Sequence, residues 1–480
     1  MKEILKNGIK YLRRIGVDYA DIRFVREIHE SLKVKNLQVE NISATRDEGF
    51  SVRVLKWGSW GFSSCSETSK ENIKKTAQRA IAIAEATASI NKSKIYLAQL
   101  KPVKSSFKSK YEIDPFEVPI QKKLDYIMWA CQVLKTHKNI ITALASLDFF
   151  RTYKFFLSTE GSEIEQEFTE SGGCVEAIAV LDNEVQRRSY PLPHSDMAQK
   201  GYEYVKRLDL VGGAEKVKNE SIGLLRAKEC PSKITTAILD TTQLFIQVHE
   251  SCGHPAELDR VFGDEVSFAG ASFLTPEKLG KLRYGSKLVN ITADATCEGG
   301  VGSFGFDDEG VQAQKFPIIK DGIFTGYLSS RETAYKLGRK STGAMRASGY
   351  SALPLIRMTN INLEPGDATL EELISDTKDG ILFSTNKSWS IDDLRLNFQF
   401  GTEIAWEIKN GKVGQILKNP YYTGLTPTFW VSCSGIANAK YWKLHGVPNC
   451  GKGEPGQIMH VGHGVSPAKF EKVQVGRKKR

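Results

Sequence analysis

The most informative segment of this sequence lies near the middle of the chain and reads Gln247-Val248-His249-Glu250-Ser251-Cys252-Gly253-His254-Pro255-Ala256-Glu257-Leu258-Asp259. It contains a His-Glu pair and a second histidine five residues after the first. When two histidines are four residues apart on a straight helix, they lie roughly 40° from each other and can bind one metal ion. A spacing of five puts them roughly 140° apart, so an unbroken helix cannot present both to one ion.

The same stretch contains residues that can interrupt the helix. Gly253 tolerates unusual backbone torsions, and Pro255 cannot donate the hydrogen bond that the Ser251 carbonyl would receive in a regular helix. A one-residue π-type bulge, or a helix end at Gly253, would return His249 and His254 to one side. The alternative is an ordinary helix end with two hydrogen-bonded histidines, and the spacing alone leaves both interpretations open.

A catalytic zinc site needs a third protein ligand and an open position for water. Cys450 lies in a glycine-rich segment that allows close approach to a metal, and a thiolate is a ligand that suits zinc. His460 and His463 are rival candidates, spaced three residues apart. The residues alone leave the third ligand open between a thiolate and an imidazole.

Three other side chains of the central stretch could also contact a metal ion or its ligands. Glu257 and Asp259 carry carboxylates that are candidates either for binding the metal or for hydrogen bonding to one of its ligands. Cys252 lies between the two histidines, and we expect it to pack inward with Leu244 and Val248 rather than to bind the metal.

Outward from this stretch, the first half of the chain alternates helix and strand patterns. Apolar residues at helical spacing predict a first helix that stops at Gly16, followed by a strand around 20–24. A capping box formed by Thr68 and Glu71 predicts the start of a second helix. Further strands are predicted at 32–39, 52–62, 140–168 and 174–181, and further helices around 124–134 and up to Ala227.

The second half changes character after one helix near 242–254. It is rich in glycine and in short β-like runs, at 288–292, 318–327, 357–363, 402–409 and 428–433. We therefore predict an α+β protein of two domains. Residues 1-229 would form an N-terminal mixed-sheet α/β domain, and residues 230-480 a β-rich, barrel- or sandwich-like C-terminal domain that carries the metal-site helix.

The composition places the chain among globular proteins. Of its 480 residues, 41% are hydrophobic and 25% are charged, which excludes disordered and collagen-like classes. No segment is apolar enough to span a bilayer, and basic residues spread through residues 1–15 argue against a secretory signal. The eight cysteines form no CxxC pair, as expected in a reducing compartment. We expect a cytoplasmic protein with no membrane partner.

The net charge of +10 comes from two segments. Residues 89–111 contain six lysines and no acidic residue, as in a linker-like loop, and the last four residues, 477–480, are all basic. The rest of the chain is balanced, and neither segment interleaves aromatic with basic residues as a stacking surface would. We therefore expect no nucleic-acid partner.

One further motif is discounted. Gly300, Gly302 and Gly305 have the spacing of a dinucleotide-binding fingerprint. The segment Asp307–Glu309 then puts three negative charges where a pyrophosphate needs a helix N-terminus, and Gly310 is unsuited to that helix. This motif does not predict a nucleotide site.

Taken together, the central stretch resembles the signature of the TldD/PmbA metalloproteases, specifically the metal-binding TldD type. Segments that resemble the C-terminal half of the same family are Phe304–Gly310, Arg357–Asn360, Leu363–Gly366, Glu407–Lys412 and Asn449–Lys452. The resemblance covers essentially the whole chain and is most specific from about residue 235 onward. It implies His249, His254 and Cys450 as ligands of one zinc ion per chain, and Glu250 as the catalytic carboxylate.

The resemblance also implies an activity. It points to a zinc-dependent peptidase that hydrolyses unfolded peptides with metal-activated water, with Glu250 as general base and the peptide along an exposed strand edge. Because PmbA-type subunits lack these ligands, it implies the active subunit of a homodimer or of a heterodimer with a PmbA-type paralogue. The alternative is a non-catalytic zinc-binding or regulatory subunit, which a closed site with His463 as fourth ligand would favour.

Overall fold

The computed structural model describes residues 1–476, and the predicted basic tail, 477–480, lies outside the described residues. The strands of the first half are β1 (Tyr19–Lys35), β2 (Gln38–Lys56), β3 (Ser59–Cys65), β4 (Lys104–Lys108), β5 (Ile140–Ser158), β6 (Glu163–Leu181), β7 (Glu184–Tyr190), β8 (Asp196–Ala198) and β9 (Lys228–Glu229). Its helices are α1 (Lys2–Ile15), α2 (Lys70–Ile90), α3 (Ile120–Leu134), α4 (Tyr202–Leu208) and α5 (Leu210–Leu225).

The first half is built on one eight-stranded sheet in the order β3-β2-β1-β5-β6-β4, with β7 and β8 also paired to β6. Successive side chains of a strand point to opposite faces, so Ile22 and Phe24 of β1 share one buried face. Helices α1 and α2 cover one end of that face, and α3 and α5 cover the other end. The strand alternation read from the sequence thus corresponds to a sheet with helices on a single side.

The other face of this sheet contacts the second half of the chain through buried ion pairs. Arg23 of β1 and Lys154 of β5 lie 3.8 Å and 3.0 Å from the carboxylate of Asp308. Arg53 of β2 lies 3.3 Å from Glu309. The acidic residues that follow the discounted glycine motif therefore join the two halves of the protein.

The strands of the second half are β10 (Lys233–Leu239), β11 (Ile291–Asp294), β12 (Lys315–Lys320), β13 (Ile323–Phe324), β14 (Met345–Arg346), β15 (Leu355–Ile356), β16 (Asn360–Leu363), β17 (Asp379–Ile391), β18 (Asn397–Lys409), β19 (Lys412–Lys418), β20 (Tyr421–Leu425), β21 (Cys433–Ile436), β22 (Lys443–Lys452), β23 (Gln457–Val465) and β24 (Ala468–Val475). Its α-helices are α6 (Thr241–Val248), α7 (Leu258–Phe262), α8 (Val266–Ala269), α9 (Arg331–Lys336), α10 (Leu370–Ser375) and α11 (Thr426–Val431). A π-helical turn, His249–Gly253, follows α6, and short 3-10 turns lie at His254–Ala256, Pro276–Lys278 and Ala439–Tyr441.

A closed barrel forms the centre of the second half. Its strands follow the order β17-β10-β24-β20-β18, and β18 pairs back to β17 to close the ring. A second sheet has the order β13-β12-β11-β16-β23-β22. Helix α6 packs between β17 of the barrel and β23 of the second sheet, in one continuous hydrophobic core. The helix that leads to the predicted metal site is therefore held on both sides.

The structure confirms the predicted α+β fold, with a mixed-sheet first half and a β-rich second half that contains a barrel. The boundary between residues 229 and 230 stays a prediction. Several local predictions differ from the structure: the run 32–39 contains the turn between β1 and β2, the run 140–168 forms two strands, and 288–292 is a strand only from Ile291. Two further local predictions are wrong. Helix α2 is capped by Ser69, whose hydroxyl accepts the Asn72 N–H at 3.1 Å, and not by Thr68. The run 428–433, predicted as a strand from its aromatic residues, lies mostly in α11, whose first turn contains Pro427.

The lysine-rich segment is a strand in part. Residues Lys104–Lys108 form β4, which pairs in parallel with β6 at the edge of the first sheet. Lys108 lies 2.8 Å from Glu167 of β6, so this lysine has an acidic partner within the fold. Within residues 1–476, no helix is both long and apolar enough to cross a membrane.

Candidate metal centre

Helix α6 leads directly into the candidate site. Its N-cap, Asp240, accepts two backbone N–H groups of the first turn, and the helix continues into the π-helical turn His249–Gly253. The extra residue in a π-helical turn rotates the following side chains relative to a regular helix. The side chains of His249 and His254 thereby lie together, and the predicted π-type bulge is confirmed.

The surroundings of Gly253 and Pro255 fit the wide turn. A Cβ atom at Gly253 would lie 2.1 Å from Sδ of Met358, so a larger residue at this position would require the Met358 side chain to move. Pro255 has no N–H to donate to the Ser251 carbonyl, and the Tyr284 hydroxyl donates to that carbonyl instead. The backbone group that proline leaves free is thus satisfied by a neighbouring loop.

The turn faces Cys450 of β22. Nε2 of His249 lies 3.5 Å from Sγ of Cys450, and Nε2 of His254 lies 3.9 Å from the same atom. The ligand atoms of the three residues lie within 4.8 Å of one another, and all three side chains are buried. Tetrahedral zinc, with Zn–N near 2.05 Å and Zn–S near 2.3 Å, requires N···S separations of roughly 3.6 Å. The donor set and its spacing fit zinc, with one coordination position left over.

His463 lies behind His249, away from the position where the three ligand atoms meet. Its Nε2 is 2.8 Å from Nδ1 of His249, and its own Nδ1 is 3.1 Å from the Ile361 carbonyl. A carbonyl only accepts, so His463 carries its proton on Nδ1 and accepts through Nε2 from His249. His249 is thereby fixed in the tautomer whose unprotonated Nε2 faces Cys450. Burial lowers the pKa of both histidines, which favours these neutral forms.

Glu257 has the corresponding role for His254. Its Oε2 accepts a hydrogen bond from Nδ1 of His254 at 2.9 Å, so Nε2 of that ring is free to bind a metal. Burial holds the pKa of His254 well below its ordinary value. Of the two roles that the sequence left open for Glu257, the structure supports hydrogen bonding to a ligand.

Lys452, two residues after Cys450, is buried among three carboxylates. Its Nζ lies 2.8 Å from Asp259, 3.0 Å from Glu265 and 3.3 Å from Glu257. Burial alone would lower the pKa of Lys452, but the three carboxylates raise it above its ordinary value. Asp259 therefore pairs with Lys452 and does not join the ligand cluster. The network connects the strand that carries Cys450 to the carboxylate that orients His254.

The surroundings of Cys450 favour its thiolate. Burial raises the pKa of a thiol, but the charge of Arg357 helps to bring the pKa of Cys450 below its ordinary value. Arg357 also donates from Nη2 to the Cys450 carbonyl at 2.5 Å. Since the thiolate is the form that binds metals, Arg357 prepares Cys450 as a ligand.

Glu250 forms an ion pair with Arg395, which lies in the connection between β17 and β18. Nη1 of Arg395 is 2.9 Å from Oε2 of Glu250, and the two side chains are 13% and 6% exposed. Nη2 of Arg395 also donates to the Ala269 carbonyl at 3.4 Å. Within residues 1–476, Oε1 of Glu250 has no hydrogen-bond partner, so this oxygen is available to a water molecule.

The remaining predicted residues lie elsewhere. His460 and His463 are three residues apart on β23 and therefore lie on opposite faces of the strand. Nδ1 of His460 contacts Glu170 of the first sheet, so His460 is not part of the ligand cluster. Cys252 is buried in the core with Leu244 and Val248, as predicted.

Sequence reasoning missed three charged residues next to the ligands. Lys452 lies in the quoted segment Asn449–Lys452, so its position two residues after Cys450 was a usable signal. Arg357 is the first residue of the segment Arg357–Asn360, which also resembles the family, so its position was a usable signal too. Arg395 had no signal, because only the folded hairpin of β17 and β18 brings it to Glu250, which is 145 residues away in the sequence.

Several known proteins are similar to this chain over nearly its whole length. The model of the PmbA/TldA metallopeptidase C-terminal domain matches residues 232–477, and that of domain 1 matches residues 20–84. A metalloprotease of Methanocaldococcus jannaschii is 33% identical over 95% of this chain and 96% of its own length. A zinc metalloprotease TldD homologue of Saccharolobus solfataricus is 25% identical over 98% of both chains. The solved structure of TldE from Thermococcus kodakarensis shares the fold, with a TM-score of 0.76 and 16% identity over 99% of this chain and 100% of that chain.

Proposed function

The chain belongs to the PmbA/TldD metallopeptidase family, and on that basis we propose that it is a zinc-dependent peptidase of the TldD type. The observation that carries the proposal is the cluster of His249, His254 and Cys450, whose ligand atoms face one point. Two imidazoles and one thiolate form a donor set that suits zinc, with one ion per chain. The Saccharolobus solfataricus relative is itself named a zinc metalloprotease.

The residues around the cluster supply the other requirements of peptide hydrolysis. Zinc bound there would polarise the scissile carbonyl and lower the pKa of water. Glu250 takes a proton from the attacking water at its free Oε1 and returns it to the leaving amine. Arg395 holds the other oxygen of Glu250 and keeps the carboxylate in one orientation. Burial of these groups limits the access of bulk water and strengthens their electrostatic interactions.

The position of His463 distinguishes this proposal from its main alternative. A non-catalytic zinc-binding or regulatory subunit would hold the ion in a closed site with a fourth protein ligand. His463 was the candidate for that ligand, but its Nε2 is occupied by Nδ1 of His249. Three protein ligands with one open position support an enzyme.

We propose unfolded peptides as substrates. The side chains of His249, His254 and Cys450 are only 3–5% exposed, so the surface of a folded protein cannot reach them. An extended chain is narrow enough, and it can bind by backbone pairing to an exposed strand edge with little dependence on its side chains.

Assembly and location are proposed from the family and from cysteine chemistry. We propose a homodimer or a heterodimer with a PmbA-type paralogue, in which this chain supplies the metal site. Its eight cysteines are all free thiols, which fits the reducing conditions of the cytoplasm. We expect peptides as partners and no nucleic acid.

The variant Glu250→Gln tests the proposal because it keeps the shape of the side chain and removes the base. We expect about one zinc per chain in both the wild type and the variant, and a loss of peptide cleavage of at least about 100-fold in the variant. Chelation should abolish cleavage, and added zinc should restore it. The matched control is Glu298→Gln at an exposed position. Cleavage that survives in Glu250→Gln or in chelated protein would contradict the assignment.

A further inference from the structure

A cavity of about 400 Å³ lies between the first sheet and the second half of the chain. Strands β1, β2, β5 and β6 form its floor, and the segments 301–308, 346–351 and 458–460 form its roof. Its size is within the range of small-molecule sites, roughly 300–1,000 Å³. His460 lines this cavity, whereas His463 faces the metal centre from the opposite face of β23, and none of His249, His254 and Cys450 lines the cavity.

Arg346 in the roof is a cation with no carboxylate in direct contact, although the charges of Glu170 and Asp308 act on it from a greater distance. Its Nη1 donates to the carbonyls of Met358 and His460 at 2.9 Å and 2.8 Å, and its Nη2 donates to that of Val301 at 3.3 Å. It forms no ion pair within residues 1–476. A guanidinium has five N–H groups, so the Nε–H and one Nη2–H remain unused. That edge is the one that binds a carboxylate through two parallel hydrogen bonds.

Glu27 and Asp47 provide surplus negative charge at the mouth of the cavity. They are directly opposed partners on β1 and β2, and like charges in such positions destabilise a sheet. Neither carboxylate forms an ion pair or a side-chain hydrogen bond with any described residue. A bound cation would relieve their repulsion.

The other charged groups of the cavity are compensated. Lys154 pairs with Asp308 at 3.0 Å, and His460 pairs with Glu170. Burial raises the pKa of Asp307 well above its ordinary value, and its carboxyl accepts backbone N–H groups. Among the described residues that line the cavity, one cation in the roof and two anions at the mouth therefore lack a partner at ion-pair distance.

We propose that this cavity binds a short free peptide, with its α-carboxylate on Arg346 and its α-ammonium group between Glu27 and Asp47. A ligand with opposite charges at its two ends can pair with Arg346 at one end and with Glu27 and Asp47 at the other. A simple anion would be repelled by the two carboxylates, and a simple cation by Arg346. Phe150, Phe168 and Phe304 line the space between them and offer apolar surface for side chains. The site goes beyond the proposed peptidase activity and does not depend on it.

Calorimetric titration of the full-length, metal-free protein with the dipeptide alanyl-phenylalanine tests this assignment, because removal of the metal prevents hydrolysis of the ligand during the measurement. We expect one dipeptide to bind per chain. N-acetyl-alanyl-phenylalanine lacks the ammonium group and alanyl-phenylalanine amide lacks the carboxylate, so each should bind at least about tenfold more weakly. Equal binding of the three ligands, or no binding of the dipeptide, would overturn the proposal.

Two variants assign the ends of the ligand. The double variant Glu27→Gln, Asp47→Asn should weaken the dipeptide about tenfold and leave the N-acetyl analogue unchanged. Arg346→Met should weaken the dipeptide and leave the amide unchanged. Glu27 and Asp47 lie at the rim of the cavity, so the double variant still tests the proposal if Arg346→Met does not fold. The control Glu40→Gln, on the same hairpin, and the metal-ligand variant Cys450→Ser should both bind the dipeptide like the wild type. An equal loss for the dipeptide and its blocked analogue, or a loss in Cys450→Ser, would refute the assignment.

Discussion

His463 accepts a hydrogen bond from His249 and thereby fixes the tautomer of the His249 ring. Nδ1 of His249 donates to Nε2 of His463 at 2.8 Å, and Nδ1 of His463 donates to the Ile361 carbonyl at 3.1 Å. The direction of both hydrogen bonds follows from the carbonyl, which can only accept. The ring nitrogen that faces Cys450 is therefore the unprotonated one, before any metal arrives.

Replacing His463 should weaken metal binding although His463 is not a ligand. In His463→Ala the ring of His249 loses the partner that holds its orientation and tautomer. We expect the Kd for zinc to rise by about 10- to 100-fold, as for other hydrogen-bond partners of metal ligands. Competition with a chromophoric chelator measures this Kd, and His137→Gln is the control on a histidine far from the site. An unchanged Kd would show that the hydrogen bond does not support the metal.

Lys452 should be important for the free energy of unfolding. The variant Lys452→Met leaves Glu257, Asp259 and Glu265 buried together with Arg260 as their remaining cation. Removing one partner of a buried charge network costs about 3–5 kcal/mol, and denaturant unfolding of the metal-free protein measures this loss. Lys409→Met is the matched control, because Lys409 pairs with Asp379 at an exposed position and should change little. A similar effect in the two variants would argue against a special role for the buried network.

The metal-site helix could be predicted from sequence because the deciding constraints are local. The five-residue spacing, Gly253 and Pro255 together require a break, and the structure has a π-helical turn at that place. The alternation of strands and helices in the first half was readable for the same reason. In contrast, residues 428–433 read as a strand, because aromatic and β-branched residues favour strands unless the tertiary structure overrides the preference.

The order of strands and the partners of the ligands could not be predicted, because they depend on long-range contacts. The barrel closes when β17 pairs with both β10 and β18, and no local pattern encodes a parallel pairing between distant segments. The same closure brings Arg395 to Glu250. The sequence left the third ligand open among Cys450, His460 and His463. Opposite faces of one strand separate the two histidines, and only the fold shows which of them is near His249.

His460 should make a stabilising contribution that depends on pH. Burial opposes its protonation, but the carboxylate of Glu170 outweighs burial and raises the pKa of His460 above its usual value of 6.5. The folded protein thus binds this proton more tightly than the unfolded chain does. The contribution is fully present below pH 6.5 and is lost as the pH rises through the folded-state pKa.

The variant Glu170→Gln tests this pH dependence. Its deficit in the free energy of unfolding, measured in urea, should be larger near pH 6 than near pH 9. The NMR titration of the His460 ring should move to lower pH in the same variant. A deficit that is the same at both pH values would show that the charged pair does not contribute.

Arg395 should act on catalysis through Glu250 and leave metal binding intact. Its guanidinium is the hydrogen-bond partner of the Glu250 carboxylate within the described chain, and it lies in the β17–β18 connection rather than among the ligands. In Arg395→Met the carboxylate loses its fixed orientation, so we expect kcat for peptide cleavage to fall on the order of 100-fold, with KM and zinc content little changed.

Arg395→Lys keeps a positive charge and should recover part of the loss, which a purely structural role would not explain. Arg46→Met, which removes an exposed arginine paired with Glu48, is the control. A rise in KM with unchanged kcat would instead place Arg395 in substrate binding, and a loss of zinc would place it in support of the ligands.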